Sequence, residues 1–299
     1  MQGNLPTVEF FLAPNTSGKE DIEISKRLAN AYHAAQRYEI CHIVPEERPN
    51  DGVWEMSKHE FHGELLDALE KRSYIDIAEI CTNALRHRVS HGLGSGAQTF
   101  TALTDLSRGG GRDAHSLLLV DRLAALAEAF GILPLENPEQ GCYGENVKYD
   151  VFNLIEKIES FVGYSVGRPR VMGAYGMPLR DLEVVDFRVP DDVYCTHRLR
   201  QILKQFDGTP NDTRGKICRR VVEIGGGFGG MALFAARAGL KPYSIVDLPL
   251  INVLQGYFLI KCLGAEAVRL YGEEGLVDAI NVMPWWYFYE GENLSLIHI

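Results

Sequence analysis

The chain has 299 residues, 46% hydrophobic and 23% charged, the composition of an ordinary soluble globular protein of about two domains. Its net charge of −10 argues against a nucleic-acid or anionic-membrane partner, because a polyanion is repelled. The six cysteines are dispersed without a CxxC, no apolar run reaches membrane-spanning length, and the start lacks a signal-peptide pattern, so the expectation is reduced thiols in a cytoplasmic protein.

From about residue 20 to 165 the apolar spacing is mostly helical. "DIEISKRLANAYHAAQ" puts Ile24, Leu28, Ala31, Tyr32 and Ala35 on one face, with Asp21 as the expected N-cap. "SLLLVDRLAALAEAFG" predicts a helix starting at Ser116 and stopping at Gly131. "DVFNLIEKIESFVG" repeats that design, Asp150 capping its start and Gly163 closing it. Loops rich in turn residues lie between: "HGLGSGAQ", "SRGGGRDAH" and "LENPEQGCYGEN". The charged, turn-rich "KQFDGTPNDTRGKICRR" then marks a boundary. It divides a mainly helical N-terminal domain, 1–205, on the acceptor side from an α/β domain, 206–299.

The second part has a different grammar. "RVVEI" is β-branched and short, as a buried parallel strand requires. "GGGFGG" follows at once, then the helix "MALFAARAG", the strand "YSIVD", and a helix opened by Pro249 and ended by Gly264. Such a βαβα run has right-handed crossovers, and its ligand sits at the carboxyl ends of the strands. Gly225 to Gly230 and Asp247 both fall there.

The glycines fit two templates. Gly225, Gly227 and Gly230 satisfy G-x-G-x-x-G, the dinucleotide fingerprint. Glu223, Gly225, Gly227 and Gly229 satisfy acid-x-G-x-G-x-G, the pattern of S-adenosylmethionine (SAM) methyltransferases. Glu223 favours the second, because an acid suits a cationic ligand and repels a pyrophosphate. Asp247 suits ribose hydroxyls in either case. An NAD(P)- or FAD-dependent oxidoreductase therefore stands as the alternative, with a non-catalytic methyltransferase-like scaffold as a third reading.

On "VVEIGGGFGGMALFAARAG" and "YSIVDLPLINVLQGYFL", and less specifically on "DRLAALAEAFGILPLENPEQGCYGEN" and "VYCTHRLRQIL", the chain resembles the sugar O-methyltransferases, class I SAM enzymes of bacterial polysaccharide pathways. The resemblance implies a doubly wound, Rossmann-like SAM-binding domain and a small-molecule or glycan substrate. It further implies that Glu223, Gly225, Gly227 and Gly229 line the methionine and ribose part of SAM. Asp247 would accept from the ribose hydroxyls and Leu248 would pack near the adenine.

Beyond Val221 the sequence has room for about three strands, with "AVRLY" or "AINVM" as the third, where the class I fold has about seven. The final "LSLIHI", Leu294 to Ile299, reads as a translated sequencing-library transposon end. The expectation is a SAM-binding domain cut short, so that the 299-residue chain aggregates at an unpaired sheet edge or binds SAM poorly.

No residue is identified as the catalytic base. His197 is the foremost candidate, beside Arg198 and Arg200, although a structural role at a helix start is the more ordinary one. His59 and His62, and His87 and His91, have helical spacings compatible with a metal, but neither pair has a further ligand nearby, so no metal is expected. Arg108 and Arg112 could cradle a phosphate, Tyr143 could line an acceptor pocket, and Trp285 and Trp286 could stack on a ring or pack in a core.

Overall fold

Period-3.6 spacing in the first half of the chain becomes a succession of helices. A computed structural model describes residues 15–48, 52–93, 111–134, 150–206, 221–274, 278–290 and 295–296. Helix α1, Lys19–His42, buries Ile24, Leu28, Tyr32 and Ala35 as the spacing predicts. Its N-cap, however, is Gly18, and Asp21 lies inside the first turn, accepting from the Gly18 N–H at 2.8 Å. The reason is remote in sequence. The Tyr257 hydroxyl donates to the other Asp21 oxygen at 2.7 Å, and Lys261 Nζ stands 3.1 Å away. Burial raises the Asp21 carboxyl, but these hydrogen bonds and the Lys261 charge outweigh it and hold it below the ordinary aspartate value.

Helices α2 (Gly52–Phe61), α3 (Gly63–Glu70), α4 (Tyr74–Thr82), α5 (Gly111–Ala129) and α6 (Val151–Val162) follow. Helix α5 begins at Gly111 rather than Ser116, since "RDAH" contains no breaker and simply continues the helix. Both ends of α6 are as expected. Asp150 accepts from the amides of Phe152 and Asn153, and Gly163 adopts the left-handed conformation that closes the last turn. A small antiparallel sheet comes next, formed by β1 (Arg168–Pro169), β2 (Met177–Arg180) and β3 (Glu183–Val185) in the order β1-β3-β2. Strands this short leave no alternation to read in the sequence. Helix α7, Val189–Phe206, leads on to the glycine-loop region.

There the expected order appears: β4 (Val221–Ile224), α8 (Gly230–Arg237), β5 (Tyr243–Asp247) and α9 (Pro249–Leu263). Both candidates for a third strand are strands, β6 (Val268–Leu270) and β7 (Ile280–Pro284), so the sheet is larger than the three strands expected. After the short helix α10 (Tyr287–Glu290), Ser295–Leu296 forms β8 against β4. The order is β6-β7-β5-β4-β8 with every pairing parallel. The chain is therefore an α/β protein: helices with a parallel sheet.

Alternation along the strands sorts the two faces of that sheet. Val221, Tyr243, Ile245, Ile280 and Val282 enter one large core, while Val222, Val246 and Met283 form a small cluster on the other face. The large core is continuous from α1, α3 and α4 through α8 and α9 to the sheet. Helix α9 carries the join. It is buried on every side, Gln255 and Gly256 included, as a helix sandwiched between two layers must be. Gly256 lets the layers close on the helix, because a Cβ there would stand 2.7 Å from Leu28 and 2.9 Å from Leu270 and force those side chains to shift. Helices α5 and α6 build a second cluster with Val189, Val193 and Phe234.

Candidate functional site

The carboxyl ends of β4 and β5 gather most of the residues singled out from the sequence. In the parallel register Glu223 pairs with Ile245, and Val221 with Tyr243. Glu223 therefore shares the core-facing side of the sheet with Tyr243, its diagonal neighbour. The Tyr243 hydroxyl, fully buried, donates to Glu223 Oε2 at 2.9 Å. Burial pushes the Glu223 carboxyl up to about 7; the Tyr243 hydrogen bond pulls against that, and the charges of Asp192 and Asp247 add to it. A carboxyl so placed resists ionisation and gains from any cation brought beside it.

Left-handed backbone at Gly225, Gly227 and Gly229, with φ of 70°, 57° and 90°, folds the loop into successive tight turns. The Gly225 amide continues the ladder to Val246 O at 3.0 Å, and the Gly227 and Gly229 amides close turns onto Gly225 O and Gly226 O. Gly226, between the template positions, is needed for a different reason. Its Cβ would fall 2.8 Å from Glu223 Cδ and inside the Ile245 side chain. A Cβ there would force the Ile245 and Glu223 side chains to shift, so the glycine leaves the carboxylate room under the loop.

Asp247 ends β5 on the same face. Its Oδ1 accepts from the Leu248 amide at 2.8 Å and its Oδ2 from Gln255 Nε2 at 2.8 Å. Burial raises this carboxyl to about 6, against the pull of those two donors. Leu248 is the N-cap of α9 and is half-buried.

Beside the loop lies a cavity of about 390 Å³, large enough for a nucleoside-sized ligand. Its walls include Glu223, Gly225, Gly226 and Gly227 from the predicted stretch, with Tyr243 and Met231. Gly229, Asp247 and Leu248 are not among its lining residues. The opposite wall comes from earlier in the chain: Gly92 and Leu93, and Arg188, Asp191, Asp192 and Cys195 on or next to α7. Asp192 pairs with the buried Arg168, which also holds Asp186 at 2.9 Å. Burial raises Asp192 to about 6, Arg168 opposing. That ion pair lies under Gly230, where a Cβ would strike both partners.

Tyr243, Gly226, Gln255 and Asp192 were not singled out from the sequence. Only Gly226 left a signal there, a glycine the spaced templates do not call for.

The remaining candidates lie elsewhere. His197 packs against the rings of Phe130 and Phe161, at 4.7 and 5.2 Å, and does not line the cavity. Burial, then Arg200, Arg198 and Lys204, lower its pKa. His62 is buried with no hydrogen-bond partner among the described residues at either ring nitrogen, and burial together with His91 lowers it to about 4. His87 stands 3.1 Å from Glu64, His91 stacks on Phe61, and His59 is exposed. Among the described residues no group of three or more His, Cys, Asp or Glu side chains is arranged to hold a metal. Trp286 is buried between Tyr38 and Tyr271, and Trp285 meets it edge-on at 5.5 Å. Arg108, Tyr143 and the Arg112 side chain lie outside the described residues. No helix among the described residues is long and apolar enough to cross a membrane.

No protein-family model matches the chain, and neither the curated proteins nor the solved structures contain a significant match to it.

Proposed function

We propose that the chain binds SAM at the β4 and β5 tips and belongs to an enzyme that transfers its methyl group to a hydroxyl, on a sugar of a polysaccharide or its precursor. One observation carries the reading: Glu223, a half-buried carboxyl held by Tyr243 beneath the glycine loop, faces a cavity whose lining among the described residues adds Asp191 and Asp192 against one arginine and no lysine. Burying a carboxylate is costly unless a cation arrives to meet it. A sulfonium with an α-ammonium group supplies that charge, and a pyrophosphate does the opposite.

In this reading the doubly wound SAM-binding part follows a helical, acceptor-side part of the chain. Bound SAM supplies an electrophilic methyl group. The chain's own residues bind and orient: Glu223 and the Gly225–Gly227 backbone face the amino-acid end, while Asp247, fixed by two donors, accepts from ribose hydroxyls. Methyl transfer to oxygen is an in-line displacement, so alignment of the acceptor is the larger part of what the protein contributes. The sugar as acceptor follows from the family resemblance alone.

Isothermal calorimetry of the 299-residue chain with SAM and, separately, NADH tests the reading. SAM binding without NADH binding is the expected result. Binding of NADH in preference would establish the dinucleotide alternative.

A further inference from the structure

Resting on that reading, the geometry points to Gln255 as the residue that positions ribose recognition, by tying Asp247 to the glycine loop. Gln255 has no exposed surface, although it lies on a helix of mainly apolar residues. Its amide nitrogen has two hydrogens and both are spent across segments. One goes to Asp247 Oδ2 at 2.8 Å, the other to Gly227 O at 3.0 Å. Its oxygen accepts from Asn252 Nδ2, one turn earlier on α9, at 2.9 Å. Turning the amide over would set an oxygen against a carboxylate and a carbonyl, so the orientation is fixed by its partners.

Three separate pieces of chain therefore meet on one side chain: the tip of β5, the glycine loop and α9. The Leu248 amide occupies Asp247 Oδ1 in the same way. With one lone pair of each oxygen engaged, the carboxylate is locked in rotation and keeps its outer lone pairs for a vicinal diol. A hydroxyl hydrogen bond to a carboxylate is directional, and free rotation of the acceptor would dissipate most of it.

The test is a comparison of two ligands on three proteins. Adenosylhomocysteine and its 2′-deoxy counterpart are titrated by calorimetry against the wild-type chain, Gln255→Met and Asn252→Ala. Methionine keeps the length of the side chain and removes the donor. Asn252→Ala leaves Gln255 in place and frees its amide, so it reports even where Gln255→Met fails to fold, a point settled by its thermal melt.

The wild type is expected to prefer the ribose ligand by on the order of tenfold or more. Gln255→Met is expected to lose most of that preference while binding the deoxy ligand about as well as wild type does. Asn252→Ala should shift the same way by a smaller factor. If the wild type discriminates and both variants discriminate equally well, or weaken both ligands in parallel, the positioning role is refuted and the cofactor reading stands. If the wild type binds neither ligand, the cofactor reading falls and this inference with it.

Discussion

Replacing Glu223 by glutamine separates the two things this carboxyl does, because glutamine still accepts from Tyr243 but has no charge to bury. In the folded chain the carboxyl titrates near 7, against an ordinary 4.5. The native state therefore holds a proton that the unfolded state releases, and wild-type stability falls as pH rises from about 4.5 through about 7. At about 1.4 kcal/mol for each tenfold in acidity, the penalty at pH 8 is about 3 kcal/mol, an upper bound once relaxation is allowed. For a chain of this size that corresponds to a melting difference of several degrees. Asp192 and Asp247, both near 6, titrate in an overlapping range, so the informative quantity is the difference between variant and wild type at each pH. Differential scanning fluorimetry from pH 4.5 to 8.5 should find the Tm values nearly equal at the acid end and Glu223→Gln the more stable by pH 8. SAM affinity should move the other way, lower in the variant and no longer rising with pH. A stability difference that stays flat across the range, or a variant less stable at pH 8, would refute the claim that Glu223 is buried at an energetic cost.

Three further substitutions probe the same neighbourhood. Tyr243→Phe removes the donor that lowers the Glu223 carboxyl, so the rise of SAM affinity with pH should shift upward, read by calorimetry at several pH values. Asp247→Ala should weaken SAM binding by roughly tenfold or more, the worth of hydrogen bonds to a charged acceptor, and unchanged affinity would remove its ribose role. Gly230→Ala drives a Cβ into the Arg168–Asp192 pair and should destabilise by about 1–3 kcal/mol, the usual cost of overpacking, seen as a lowered urea midpoint.

What could be read in advance was local. Strand β4, the glycine loop, α8, β5 and α9 each announce themselves within a few residues, through β-branched runs, glycines that permit left-handed turns, and a proline at a helix start. The same holds for Asp150 and Gly163 at the two ends of α6. What stayed hidden depends on partners far away in sequence. Asp21 has the residue type of an N-cap, and only Tyr257 and Lys261, more than two hundred positions on, reveal that it is a buried bridge. Gln255 is one polar residue in an apolar helix, meaningful only once Asp247 and Gly227 stand beside it. His197 was chosen for its chemistry and its place ahead of the glycine loop, but aromatic rings claim it. The cavity wall contributed by Gly92, Leu93 and α7 had no motif at all, since lining a pocket requires no particular residue type.

The burial of α9 on every side has a consequence for how this molecule comes apart. Leu28 of α1 and Leu270 of the sheet both close on Gly256, and Asp21, Tyr257 and Thr82 are linked through the same helix. A stretch that shares its interior with both neighbours has no seam along which to open. Loosening the first helices therefore strips the support from α9, and whatever settles into the glycine loop steadies, from a distance, helix α1.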